Sequence, residues 1–160
     1  NVDSDSLELA VDVALRTSAA PTYFPIVDGF VDGGVVANNP SMCGLAQALD
    51  PKRGAGRPLD EVRILSLGTG QNQAFIDTED SEWGLAQWMP HLVGVLMDGA
   101  MDLANFQCQQ IMGDHYYRLN PALDDDYPLD AVHNVPTLNL LASECEIDGA
   151  LEWLTRNWFE

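Results

Sequence analysis

An α/β domain built on a mainly parallel sheet is the fold class this 160-residue sequence predicts, on three observations. A near-continuous apolar run, Val62-Arg63-Ile64-Leu65-Ser66-Leu67, has the length and composition of a strand buried on both faces. A second run, His115-Tyr116-Tyr117-Arg118-Leu119, also reads as a strand. Helical patterns precede, separate and follow the two, and that alternation lays strands side by side through crossover helices.

The first element is a helix. Asp5-Ser6-Leu7-Glu8 has the form of a capping box, after which Leu7, Ala10, Val11, Ala14, Leu15 and Ser18 fall on one helical stripe that Pro21 ends. Phe30-Val31 reads as a very short strand, and Asp28-Gly29 as a hairpin-type turn between Val27 and Phe30. Asn39-Pro40 then opens a second helix, a cap followed by proline at the first helical position, with Met42, Leu45, Ala46 and Leu49 on its buried face. A surface loop from Asp50 to Pro58 leads to the first long strand, which Gly68-Thr69-Gly70 closes.

A long helix is predicted from about Glu82 to Met112, with Leu92, Leu96, Leu103, Phe106 and Gln110 on its stripe and Pro90 as a break or restart. After the second long strand, closed by Asn120-Pro121, a last helical stretch runs from Thr137 to Trp158. It carries Leu138, Leu141, Cys145, Leu151 and Leu154, with an interruption near Asp148-Gly149. So few short strands make a narrow sheet, whereas parallel sheets are buried on both faces and normally wider. The sequence reads as part of a larger sheet.

Charge is the unusual part of the composition: 7 Lys and Arg against 25 Asp and Glu give a net charge of -18. Nucleic acid is thereby disfavoured as a partner. The acids are dispersed, and the longest run, Asp124-Asp125-Asp126, lacks the spacing of a calcium loop. Cys43, Cys108 and Cys145 form no CxxC pair and read as reduced thiols on helices, which points to a reducing, cytoplasmic setting. His91, His115 and His133 are too scattered to suggest a metal site or a histidine triad. No signal-peptide order is present, and the apolar stretch Leu92 to Ala104 is broken by Gly94, Asp98, Gly99 and Asp102. The start at Asn1 without Met is read as a processed product or a cut-out piece.

The chemistry centres on Asp32-Gly33-Gly34. An aspartate ending a strand before two glycines stands at the rim of a sheet with room for a ligand beside it, the placement a general base needs. The same tripeptide also serves as a plain turn.

Arg16-Thr17-Ser18-Ala19-Ala20-Pro21-Thr22-Tyr23-Phe24-Pro25 and Val31-Asp32-Gly33-Gly34-Val35-Val36-Ala37-Asn38-Asn39-Pro40, read together, closely resemble the second half of the patatin-like phospholipase family. The resemblance continues through Ile64-Leu65-Ser66-Leu67-Gly68-Thr69-Gly70 and, more weakly, Tyr117-Arg118-Leu119-Asn120. It implies a three-layer α/β/α domain of which residues 1–160 form the C-terminal part. It further implies a lipid acyl hydrolase with a Ser-Asp dyad and no cofactor or metal, in which the Asp of Asp-Gly-Gly, here Asp32, activates the serine.

Such a base needs partial desolvation, which Tyr23, Phe24, Val31 and Val35 could supply. Small Ser18, Ala19 and Ala20 would let the helix end approach the Asp32 turn, and Gly33 and Gly34 leave space for substrate. Asn38 is a candidate partner of the aspartate, and Asn38 or Asn39 caps the second helix.

The nucleophile does not follow. The family's serine sits in Gly-x-Ser-x-Gly, a strained turn between strand and helix, and this sequence contains no such pentapeptide. Ile64-Leu65-Ser66-Leu67-Gly68 has Ile64 where the first glycine must be, so Ser66 reads as a core strand residue. A Gly-rich oxyanion loop is not found either; Gly68 to Gln73 matches neither it nor a phosphate-binding loop. The expectation is a chain that supplies the base, is inactive alone, and takes as partners a lipid or acyl ester substrate and the N-terminal half of its own domain. Its uncovered strand edge and helix faces would drive self-association in isolation. Two alternatives stay open: a non-catalytic patatin-like remnant that binds lipid or a protein, and an acidic α/β interaction domain with a chance Asp-Gly-Gly.

Overall fold

The computed structural model describes residues 7–72, 82–125 and 127–159. Along them run α1 (Ala10–Thr17), α2 (Gly34–Ala37), α3 (Ser41–Leu49), β1 (Ile64–Leu67), α4 (Leu85–Met112), β2 (Tyr116–Leu119), α5 (Val135–Glu144) and α6 (Asp148–Leu154). The two apolar runs pair in parallel, Ile64 opposite Tyr116 and Leu67 opposite Leu119. A parallel pair needs a long crossover, and α4 lies within it. Beyond the strands the pairing continues as Gly68 N–H donates to Leu119 O at 2.8 Å and Gln71 bridges Ala122.

Alternation along β2 puts helices on both faces of this small sheet. Tyr116 belongs to the core with Leu45 of α3, Val62, and Cys108 and Met112 of α4, which Met42, Ala48, Leu49 and Ile64 flank. Tyr117 faces the other way, its ring 6.0 Å from that of Trp153 in α6. Trp153 is buried and donates its indole N–H to Asp114 O at 2.8 Å. The fold is therefore α/β, with α3 and α4 on one side of the strands and α6 on the other.

Several expectations change. Asp5 and Ser6 of the anticipated capping box lie outside the described residues, and α1 starts after Leu9 with no side-chain cap. Its stripe is uncovered, Val11 and Leu15 both being exposed. Phe30-Val31 forms no strand: Val27 and Phe30 make an isolated antiparallel bridge, and the following amide, that of Asp32, goes to Ala19 O. In α3 Ala46 is exposed, and Ala48 packs on the core in its place.

The long helix begins at Leu85 and passes through Pro90 unbroken. The N–H that proline lacks would have bonded the Ala86 carbonyl in the first turn, at an exposed residue where water can serve. More telling is the face it buries. Met101, Cys108 and Met112 are buried and Met97 half-buried, whereas Leu92, Leu96, Leu103 and Phe106 of the anticipated stripe are exposed. At about 100° per residue the two sets lie roughly half a turn apart, so α4 is apolar on two sides.

The last helical stretch starts at Val135 and breaks at residues 145–147, ahead of the anticipated place. Cys145 thus leaves the helix, and Leu151 is exposed. Gly149 is not the breaker. A methyl added to it would stand 2.6 Å from Tyr117 Oη, so glycine here lets α6 lie against β2. Among the described residues no helix is long and apolar enough to cross a membrane.

Candidate active site

Asp32 is built into the chain by hydrogen bonds at both ends of the residue. Its N–H donates to Ala19 O at 3.0 Å, and its Oδ1 accepts the N–H of Gly34 at 2.6 Å. Val35 N–H then bonds Asp32 O at 3.2 Å, which starts the short helix α2. The placement anticipated from sequence, at the end of a strand, is corrected: Asp32 stands at the head of a helical turn, because these bonds curl the backbone instead of extending it. The residue is half-buried, forms no ion pair among the described residues, and has Oδ2 without a hydrogen-bond partner there. One oxygen is thus anchored and the other is available to accept a proton.

The neighbouring candidates are not all brought together. Ala19 is buried and supplies the carbonyl that receives the Asp32 amide, and Gly33 N–H reaches Thr17 O at 3.3 Å. A methyl on Gly34 would stand 3.0 Å from Asp32 Oδ1 and 3.3 Å from Asn38 Oδ1, so both oxygens flank this glycine. Ser18 turns away and donates to Ala14 O at 2.8 Å in its own helix. Tyr23, Phe24, Val31 and Val35 are all exposed, and the apolar shelter anticipated from them is not formed within the described residues.

Asp28 occupies a different environment. Asp28 and Gly29 have φ of +51° and +83°, and Val27 and Phe30 exchange both backbone hydrogen bonds, the pattern of a type I′ hairpin turn. Arg16 holds the Asp28 carboxylate at 3.1 Å and also meets Glu8 at 2.7 Å. The hydrogen bonds that Arg16 donates to Glu8, first, and to Asp28, second, raise its pKa above its ordinary value. The guanidinium carbon lies 5.0 Å from the centre of the Phe30 ring, in a cation–π position.

A polar cluster that sequence reasoning missed lies next to this loop. Asn39, only 2 % exposed, accepts through Oδ1 from Ser41 N at 3.2 Å, Ser41 Oγ at 2.6 Å and Ser66 Oγ at 3.4 Å. The N-cap position of α3 falls on Pro40, one residue after the Asn39 cap read from sequence, and Asn39 stands just ahead of it. Ser66 is a buried strand residue as anticipated, and its Oγ accepts from Arg118 Nη1 at 2.7 Å. The signal was present in the sequence as two polar residues, Ser66 and Arg118, inside apolar strands. Their register in the sheet places them directly opposite each other.

No family model matches the chain. Among characterised proteins it is 29% identical to Protein teg of Priestia megaterium over 177 residues, covering 94% of this chain and 54% of that protein. It is 31% identical to Patatin-like protein 2 of Arabidopsis thaliana over 129 residues, covering 62% of this chain and 32% of that one. It is also 31% identical to the cGAMP-activated phospholipase of Pseudomonas aeruginosa over 128 residues, covering 75% of this chain and 37% of that one. The chain therefore spans about half the length of the first relative and about a third of the others.

Proposed function

This chain belongs to the patatin-like phospholipase family, and on that premise we propose that it contributes the catalytic base of a lipid acyl hydrolase. Asp32 is that base: Oδ2 takes the proton from a serine hydroxyl as the hydroxyl attacks an acyl ester, and Ala19 and Gly34 keep the carboxylate in place. The observation that carries the reading is the anchoring of Asp32 by one oxygen while the other stays open. A carboxylate fixed in this way meets its partner without reorganising.

The serine and the oxyanion donors lie, on this reading, in an N-terminal half of the same domain outside these 160 residues. Three observations support it. The sequence has no Gly-x-Ser-x-Gly, the relatives extend well beyond the matched region, and α1 and the outer side of α4 expose apolar stripes that a domain interior would cover. The substrate class is an acyl ester of a lipid. The test is labelling by a serine-directed fluorophosphonate: the 160-residue chain stays unlabelled and does not hydrolyse p-nitrophenyl esters, whereas the chain extended by its upstream coding sequence does both. Labelling of the chain alone, or none of the extended protein, defeats the proposal.

A further inference from the structure

The seven Lys and Arg side chains differ in what holds them. Arg16 pairs with Glu8 and Asp28, Arg57 pairs with Glu61, and Arg63 Nη1 bonds the carbonyls of Asp60 and Val62. Lys52, Arg53 and Arg156 are exposed, and of the half-buried cations Arg118 differs in having neither a carboxylate nor a backbone carbonyl as partner among the described residues. Half-buried on β2, it forms no ion pair among the described residues, although the sequence has 25 acids to 7 bases. Its only hydrogen bond there runs from Nη1 to Ser66 Oγ. Ser66 in turn is held by buried Asn39, so the guanidinium is fixed from one side while Nε and Nη2 have no acceptor among the described residues.

The open side faces space. Arg118, Asn38, Ser41, Ser66, Thr69 and Met101 of α4 are among the residues that line a cleft of about 260 Å³. Gly68 borders it, and a methyl there would collide with the Asn120 amide and stand 2.9 Å from Arg118 Nη2. One water occupies about 30 Å³ of liquid, so the cleft has room for a tetrahedral oxyanion with several waters. A fixed, partly desolvated guanidinium without a counter-charge attracts an anion strongly, and its planar fork matches two oxygens of a phosphate.

We propose that this cleft binds a phosphate group, held by Arg118 through Nη2 and Nε and by the Thr69 hydroxyl. The group is either a free phosphate or the phosphodiester of a lipid headgroup, which present the same oxygens. Asn38 borders both this cleft and Gly34, so the phosphate would sit next to the Asp32 loop. The inference does not rest on the acyl hydrolase reading, because binding is measured without turnover.

The experiment is a calorimetric titration of the 160-residue chain with inorganic phosphate, repeated with Arg118→Gln, Arg118→Lys and Arg57→Gln. Saturable binding is expected, weakened at least about tenfold by Arg118→Gln, less by Arg118→Lys, and unchanged by Arg57→Gln. Phosphate should also raise the melting temperature of the wild type but not of Arg118→Gln. If Arg118→Gln fails to fold, the Arg118 Nε–Hε resonance of the wild type is followed instead, and it must shift with phosphate. Monomeric dihexanoylphosphatidylcholine, compared with dihexanoylglycerol, separates the sources. Tighter binding of the phospholipid than of phosphate, with none of the diacylglycerol, supports a lipid headgroup, and equal binding supports free phosphate. No binding of either phosphate, or binding that Arg118→Gln leaves intact, overturns the site. Hydrolysis of neutral p-nitrophenyl esters judges the role of Asp32 separately.

Discussion

The guanidinium of Arg16, in the last turn of α1, holds Asp28 Oδ2 through Nε at 3.2 Å and Nη2 at 3.1 Å. Asp32, four residues on, has no such cation, and its bonds go to backbone instead. Two aspartates before glycine in one short loop thus do different work: the first ties a hairpin to a helix, the second holds its own carboxylate in place.

Asp28 is under backbone constraint more than electrostatic constraint. Its φ of +51° suits Asp or Asn and disfavours a β-branched residue. Asp28→Asn should leave the melting temperature nearly unchanged, since an exposed ion pair contributes little. Asp28→Val should cost about 1–2 kcal/mol from the left-handed backbone alone. A thermal melt of the two variants checks this, and equal stability would contradict it.

Gly34 couples stability and chemistry in opposite senses. Alanine is the better helix former, by about 0.8–1 kcal/mol, but its methyl would crowd Asp32 Oδ1 at 3.0 Å. Gly34→Ala should therefore keep the melting temperature of the extended enzyme while lowering esterase activity by about tenfold or more, the penalty of displacing a catalytic group by a fraction of an ångström. Activity at the wild-type level would show that the carboxylate position is not critical.

The two apolar sides of α4 make separable predictions. Met101→Ala empties a buried site and should destabilise the isolated chain by roughly 2–5 kcal/mol. Leu103→Glu, on the exposed side, should leave the melt nearly unchanged and reduce the self-association that light scattering detects in the wild-type chain. A monodisperse wild-type monomer would mean that this face needs no cover.

Tyr127 supplies a pH test. Its phenol donates to Asp124 Oδ1 at 2.7 Å, and this bond, with the charges of Asp124 and Asp125, pushes its pKa up to about 12. A raised folded-state pKa means that the folded chain binds this proton more tightly than the unfolded chain. The associated stability is present below the unfolded value near 10 and is lost as pH rises through about 12. Spectrophotometric titration of tyrosinate should show one late phenol, and Asp124→Asn should move it back towards the ordinary range.

The parts of the fold legible in the sequence are those that a single local signal specifies. Ile64-Leu65-Ser66-Leu67 and Tyr116-Tyr117-Arg118-Leu119 read as strands from their largely apolar runs and pair as such, and Asp28-Gly29 specifies its own turn. Period alone did not say which side of α4 faces the sheet, because Leu92, Leu96, Leu103 and Phe106 form as good a stripe as Met97, Met101, Cys108 and Met112. The short element at Phe30-Val31 failed for another reason. Whether an extended dipeptide becomes a strand depends on a neighbour, and here the next amide turns to Ala19. The cluster of Asn39, Ser41, Ser66 and Arg118 joins residues far apart in sequence, and only the parallel register brings them together.

The role of Asp32 is tested most directly by one paired assay. In the chain extended by its upstream coding sequence, Asp32→Asn keeps the size of the side chain and a carbonyl oxygen to accept from Gly34 N–H, yet removes the proton acceptor. Hydrolysis of a p-nitrophenyl ester should fall on the order of 10⁴-fold, as when a catalytic base or its orienter is removed, with the melting temperature kept. Asp28→Asn, in the same assay, should change the rate by less than about tenfold. A dead Asp28→Asn, a fully active Asp32→Asn, or an Asp32→Asn that loses activity only by unfolding would contradict the assignment of Asp32 as the base.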